Sequence, residues 1–321
     1  MQRKVVIAGG TGFLGQAVAR DLSRRGWTVV VLGREPKPPA HGTLVLWDGK
    51  TLGPWEMALE GADAVINLAG KNIAAVHNDE NRKQILESRL DSVRALGAAV
   101  RHRAQPPRLW LQASAVAIYG NPGAQICDET TPAAASSPSE SFLTAVTKRW
   151  EAAFASEASP ARKITLRTGI VLGRDGGALQ PLIKLAKAFL GGSAGDGRQY
   201  LSWIHLEDYC AICRWALEGG SGESASASGE RAVPQAYNLC APQPVTNEDF
   251  MKELRHALHR PWSPPAPAWA VKFGAEVIMR ADSSLILTGQ RVLPRRLKEA
   301  GFPFAFPQLR VALKDLVEGG A

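Results

Sequence analysis

Val5-Val6-Ile7-Ala8-Gly9-Gly10-Thr11-Gly12-Phe13-Leu14-Gly15 is the stretch on which the reading of the fold turns. Val5, Val6 and Ile7 form a β-branched run of the kind that fills a buried strand. Gly9, Gly12 and Gly15 follow in the spacing G-x-x-G-x-x-G. From Phe13 to Arg25 the residues Phe13, Leu14, Ala17, Val18, Asp21 and Leu22 recur at helical spacing, apolar apart from Asp21. Strand, glycine turn and helix start in that order make a cradle for a dinucleotide pyrophosphate. Gly9 permits the turn, Gly12 lets backbone approach the phosphates, and Gly15 lets helix and strand pack closely. The helix N-terminus adds free N–H groups and a partial positive charge. Thr11, Phe13 and Leu14 lie within the same turn and are counted with it as cofactor-binding positions.

The next strand ends Val31-Leu32-Gly33-Arg34. NAD-preferring cradles place Asp or Glu here, about twenty residues past the turn, to bind the ribose hydroxyls. Gly33 leaves space beside the ribose, and Arg34 brings a guanidinium suited to a 2′-phosphate. Glu35, one residue on, is within reach of the ribose and leaves room for some NAD binding. The expectation is NADP(H).

The 321 residues allow a large core with an accessory lobe. At 45% hydrophobic and 21% charged, the composition is that of a globular protein. Met1 runs almost directly into the first strand, leaving no room for a signal peptide, and no apolar run is long enough to span a membrane. A cytoplasmic protein is expected, with no membrane partner. The net charge of +8 comes from scattered Lys and Arg without a long basic tract, which argues against nucleic-acid binding. Cys210-x-x-Cys213 is half a metal site, but it lies in an apolar helical stretch and no second pair follows. With Cys127 and Cys240, these are read as buried thiols; no metal site is expected.

Strands at Thr28–Leu32, Leu44–Trp47, Ala64–Leu68, Leu109–Ser114 and Ile164–Arg167 are expected to alternate with helices, notably Asn81–Arg101 and Phe142–Ser156. Repeated strand–helix units imply an α/β fold, a doubly wound parallel sheet with its ligand crevice at the strand C-termini. Further on, Pro181–Leu190, Leu206–Glu218 and Asn247–Leu258 read as helices, the last capped by Thr246. Tyr200–Ile204 and Tyr237–Cys240 read as strands, and Thr131–Ser141 and Gly219–Gly229 as surface loops. The expected division is a dinucleotide-binding domain at 1–175, with strands returning around 199–240, and a smaller, mostly helical lobe at 176–198 and 241–321.

These motifs carry a family resemblance. The glycine turn, Leu68-Ala69-Gly70, Ala113-Ser114-Ala115-Val116 with Tyr119-Gly120, and Arg167-Thr168-Gly169 resemble the extended short-chain dehydrogenase/reductases, Rossmann-fold enzymes acting largely on nucleotide sugars. Asn72, Ser88-Arg89-Leu90, Trp150-Glu151, Val171-Leu172-Gly173 with Gly176-Gly177-Ala178, and Ser202-Trp203-Ile204-His205 resemble more narrowly an atypical epimerase family. Its members carry names such as NAD-dependent epimerase or SulA-like cell-division inhibitor. Gln290-Arg291-Val292, Pro294 and Gly301-Phe302 resemble that family's C-terminal domain of unknown function. The resemblance implies that Leu68, Ala69 and Gly70 line the cofactor, that Val171 closes over it, and that Arg89 points into the crevice. It names no substrate.

The sequence departs from the enzyme pattern at one place. Short-chain reductases use a Tyr whose pKa is lowered by a Lys four residues on, both on one helix face, with a Ser or Thr orienting the substrate oxygen. None of the four tyrosines here has Lys four residues later, and at the expected helix the matching positions are Phe142 and Val146. Ser114 matches the serine position, though a hydroxyl at a strand end is as readily satisfied by backbone. Tyr119, expected near the crevice mouth, is the first candidate acid, with a packing role as the alternative. Lys148, Asp128, Glu129 and His205 are weaker candidates. Two functions remain open: an NADP(H)-dependent oxidoreductase or epimerase of a small molecule, or a non-catalytic NADP(H)-binding sensor, in either case a monomer or homodimer.

Overall fold

The computed structural model describes residues 3–220, 235–274 and 282–319. Strands β1 (Lys4–Ala8), β2 (Thr28–Gly33), β3 (Thr43–Leu46), β4 (Ala64–Asn67) and β5 (Leu109–Ala115) join the Arg162–Thr168 and Gln235–Leu239 strands in a seven-stranded sheet. Its order is Gln235–Leu239, Arg162–Thr168, β5, β4, β1, β2, β3, and every neighbouring pair is parallel. The connections run outward in opposite directions from β1, between β2 and β4. That is the switch point where an open parallel sheet leaves a crevice beyond its strand C-termini.

Helices α1 (Phe13–Arg24), α2 (Asp79–Arg101), α3 (Phe142–Ser156), α4 (Leu179–Lys187), α5 (Leu206–Leu217) and α6 (Asn247–Ala257) follow in chain order. The two-residue period of a strand sends alternate side chains to opposite faces. Val5 and Ile7 of β1 pack with Val18 and Leu22 of α1 and Ile212 of α5. Val6 and Ala8 pack on the other face with Val93 and Leu96 of α2 and Phe154 of α3. Both faces are covered, as a parallel sheet requires. Asp21, the one acid among the α1 positions at apolar spacing, reaches Arg214 of α5.

A third cluster joins Leu172, Trp203, Phe250, Leu254 and Leu313, held between α4, α6 and the Leu309–Glu318 helix. Before that last helix, Leu297 and Phe302 enter the main core with α5 residues such as Ile212. The element read as one strand over Tyr200–Ile204 is divided at Ser202. Tyr200–Leu201 runs antiparallel to Val245–Thr246, and Trp203–His205 runs parallel to Ile170–Gly173. The Ser202 side chain explains the break: its hydroxyl donates to the Gln290 carbonyl at 2.7 Å and accepts from Val292 N–H at 2.9 Å. Helix α4 starts two residues before Pro181, which sits in the first turn where its missing N–H costs nothing. It stops before Phe189, whose φ is 61°.

All four cysteines are free and buried. Among the described residues no group of His, Cys, Asp or Glu could hold a metal ion, and no helix is long and apolar enough to cross a membrane. Residues 221–229 of the expected Gly219–Gly229 loop lie outside the described residues.

Candidate cofactor crevice

The glycine turn is built by close backbone packing. Gly9 adopts φ +75°, and a Cβ there would stand 2.8 Å from the backbone of Leu68 and Ala69. Gly15 has no room either, its missing side chain pressing on the Gly9 carbonyl and Gly10. Gly12 differs. It has φ −79°, and only the Gly9 carbonyl, at 3.4 Å, lies within contact of an added Cβ. Gly12 is the N-cap of α1 and supplies no side-chain cap, so the first-turn N–H groups of α1 are left for an anion.

The flanking residues sort by direction. The Phe13 ring fills the space above Gly173, Gly176 and Gly177, any of which would clash with it as alanine. Phe13 therefore pins α1 to the Ile170–Gly177 hairpin, and Leu14 packs on the core. Gly33 refines the sequence reading: a Cβ there would meet Leu44 at 2.8 Å and Thr11 at 2.9 Å. The room beside it is filled by those side chains. Arg34 is exposed and, among the described residues, has no hydrogen-bond or ion-pair partner.

Beyond β4, Asn67 is fully buried and donates to Ser92 Oγ and Gln112 Oε1, while its own Oδ1 accepts from Ala69 N–H. This network fixes Leu68-Ala69-Gly70 at the lip of the crevice. Arg89 lies under that lip. Its Nη1 donates to the carbonyls of Lys71 (3.0 Å) and Ile85 (2.8 Å), and its guanidinium sits 5.0 Å from the Trp150 ring centroid. Gly70 leaves room for this placement: a Cβ would stand 3.1 Å from the guanidinium carbon and push it aside by a few tenths of an ångström. Burial pulls the Arg89 pKa down to about 10, still charged at neutral pH. Val171 pairs with Ile204 and faces the main core.

Ser114 and Tyr119 belong to one chain of contacts. Ser114 Oγ donates to Glu151 Oε1 at 2.6 Å. Arg167 clamps both oxygens of Glu151, with each N–O distance 2.9 Å, and donates to the Tyr119 hydroxyl at 3.0 Å. Tyr119 in turn donates to Asn238 Oδ1 at 2.9 Å. Ser114 and Tyr119 are both 4% exposed. Burial outweighs the nearby Arg167 and raises the Tyr119 pKa to about 12, so the phenol keeps its proton at neutral pH.

The weaker candidates have structural partners. Lys148 pairs with Glu140 at 2.8 Å. Asp128 accepts from Thr130 and faces Arg295, and Glu129 accepts from the N–H groups of Asn238 and Arg296. His205 caps α5, its Nδ1 accepting from Glu207 N–H at 3.1 Å. Sequence reasoning did not single out His77. Its buried ring stands edge-on to Phe142 at 5.1 Å, with Nδ1 3.1 Å from Asp282 Oδ2 and Nε2 3.1 Å from the Ile73 carbonyl. Asp282 arrives from the distant end of the chain, which is why no local signal marked the pair.

The profile described as "NAD dependent epimerase/dehydratase family" matches residues 5–240, and the domain of unknown function DUF1731 matches residues 266–316. The epimerase family protein SDR39U1 of Mus musculus is 35% identical over 98% of this chain and 99% of its own. The epimerase family protein YfhF of Bacillus subtilis is 34% identical, covering 98% and 97%. The crystal structure of human SDR39U1 with NADPH superposes with a TM-score of 0.82 at 32% identity, covering 98% of this chain and 99% of that one. With a glycine cradle at the switch point of a parallel sheet and matches along its whole length, the chain belongs to the NAD-dependent epimerase/dehydratase family, in the branch that ends in DUF1731.

Proposed function

We propose that this protein binds NADP(H) and acts as an oxidoreductase or epimerase on a small molecule held between the sheet's C-terminal edge and the C-terminal lobe, in the cytoplasm. The observation that carries the cofactor half is the unpartnered, exposed Arg34, one residue past Gly33, which lies against Thr11 just ahead of the uncapped N-terminus of α1. The first-turn N–H groups of α1 would take the pyrophosphate, and Arg34 the 2′-phosphate. Arg89 braces the Gly70-Lys71 lip and adds a positive charge beneath it. The human relative solved with NADPH supports the same assignment. When bound, the nicotinamide supplies hydride exchange with a substrate carbon. Ser114, at the end of β5, would orient the substrate oxygen, and Tyr119 is linked to it through Glu151 and Arg167.

A charge-assisted contact contributes about 1.5–3 kcal/mol, or roughly ten- to a hundredfold in affinity. Calorimetry should therefore find NADPH bound more tightly than NADH by about that factor. Arg34→Ala should erase most of the difference and leave NADH binding nearly unchanged. Equal affinities of the unmodified protein for the two cofactors would overturn the assignment.

A second reading, a non-catalytic NADP(H) sensor, is favoured by the hydroxyl hydrogens of Ser114 and Tyr119 being given to Glu151 and Asn238, and by Phe142 and Val146 standing where an acid and its lysine are expected. NADPH oxidation over a panel of carbonyl compounds and nucleotide sugars separates the two. Turnover lost in Ser114→Ala supports the enzyme. Tight NADPH binding with no turnover supports the sensor.

A further inference from the structure

Far from the crevice residues in sequence, the C-terminal lobe exposes five large apolar side chains. Phe189 is 58% exposed, Leu190 65%, Trp262 74%, Trp269 74% and Phe273 60%. They lie on two segments fastened side by side. Ser263 Oγ donates to the Phe189 carbonyl at 2.9 Å, Ala266 N–H to the Ser193 carbonyl at 2.8 Å, and Ala194 bridges Ala266. Trp269 and Phe273 are four residues apart on the Ala268–Phe273 helix, hence on one face, and that helix buries none of its residues. Exposed apolar groups concentrated in this way mark an interaction surface.

The charge around them selects the partner. Residues 179–195 and 254–274 contain no Asp or Glu, yet carry Lys184, Lys187, Arg255, Arg260 and Lys272. None of the five makes an ion pair among the described residues. A second copy docked on this surface would bring these five cations together, with acids only at its border, Asp196 and Glu253 being the nearest in sequence. An anionic bilayer surface offers the opposite charge for the cations and an interfacial layer for protruding Trp and Phe rings. The Arg260 guanidinium lies 5.2 Å from the Phe189 ring centroid, so cation and apolar group are interleaved.

We propose that the Phe189–Leu190 and Trp262–Phe273 surface docks this protein reversibly on anionic lipid, an association that needs no spanning helix. The test is co-sedimentation of the full chain with vesicles of phosphatidylcholine alone and of an equal mixture of phosphatidylcholine and phosphatidylglycerol. Binding is expected to the mixed vesicles only, weakening as salt is raised. Lys184→Ala with Lys187→Ala should lower the affinity on the order of thirtyfold. Trp262→Ala with Trp269→Ala should lower it at least about tenfold. Both pairs are exposed, so melting temperature and NADPH affinity should be unchanged. Equal sedimentation with the two vesicle types, or equal binding by wild type and variants, overturns the proposal. So does a concentration-dependent dimer, or selective capture of an acidic protein, that the same substitutions abolish in the absence of lipid.

Discussion

Gly12 and Gly15 differ at the residue scale although one motif contains both. Gly15 is required by the fold, since its place is taken by the Gly9 carbonyl and Gly10. Gly12 has a φ open to any residue and free space around its Cβ, so the folded chain alone does not require glycine there. A ligand approaching the α1 N-terminus would supply the missing constraint. Gly12→Val is therefore expected to stay folded, losing about 1 kcal/mol because a β-branched residue is a poorer N-cap than glycine, and to lose NADPH binding by calorimetry. Unchanged NADPH affinity would remove the cradle reading. This division of labour is the one the motif implies, Gly15 for helix–strand packing and Gly12 for an open approach; the structure adds that Gly15 packs on the Gly9 carbonyl and Gly10. Gly33 marks the limit of spacing. Its sequence position suggested room for a ribose, and tertiary packing fills that room with Thr11 and Leu44.

Helices and strands with strong periodicity were legible at the element scale: α3 spans Phe142–Ser156, and α1 ends within one residue of the expected place. Elements that depend on remote hydrogen bonds were not. The Ile170–Gly173 strand exists because Trp203–His205 pairs with it, and the division at Ser202 depends on Gln290 and Val292. His205, one of the weaker candidate acids, serves as the α5 N-cap, and that role has a consequence that spacing alone does not reveal. Only a ring with a free lone pair on Nδ1 accepts from Glu207 N–H. A proton there would remove the cap and put positive charge at the positive end of a helix dipole. Burial, opposed by Asp315 at 3.3 Å and reinforced by Arg174, lowers the His205 pKa to about 4 from an ordinary 6.5. A depressed folded-state value means this contribution is fully present above about pH 6.5 and is lost as pH falls through 4. Urea midpoints should drop over that window. In His205→Asn, which caps without titrating, the drop should be smaller; an equal drop in both proteins would exclude His205 as the source.

At the scale of the whole molecule, the C-terminal domain is fastened to the sheet and its flanking elements by apolar and polar contacts. Its apolar attachments run through Leu297, Phe302 and the cluster around Trp203 and Leu313. One of its polar attachments was not foreseeable, because its partners are 205 positions apart in sequence: His77, between β4 and α2, and Asp282. Asp282 also accepts from Ser284 N–H at 3.0 Å, which fixes the start of the Ser284–Leu287 helix. On the other side, Arg82 donates to the His77 carbonyl at 2.6 Å and lies 5.1 Å from the Phe142 ring centroid, while His77 contacts the same ring. Asp282 of the C-terminal domain thus holds the loop that follows Leu68-Ala69-Gly70 against α3. Removing its charge should loosen that closure without unfolding the sheet, whose strands draw on other contacts. A hydrogen bond to a charged partner contributes about 1.5 kcal/mol, so local opening should become about tenfold more frequent in Asp282→Asn. Hydrogen exchange is the measurement. Amides of residues 71–78 and 283–288 should exchange about tenfold faster while those of β1, β4 and β5 keep their wild-type rates. Uniform acceleration across the sheet, or none at either segment, would show that this contact does not fasten the domain.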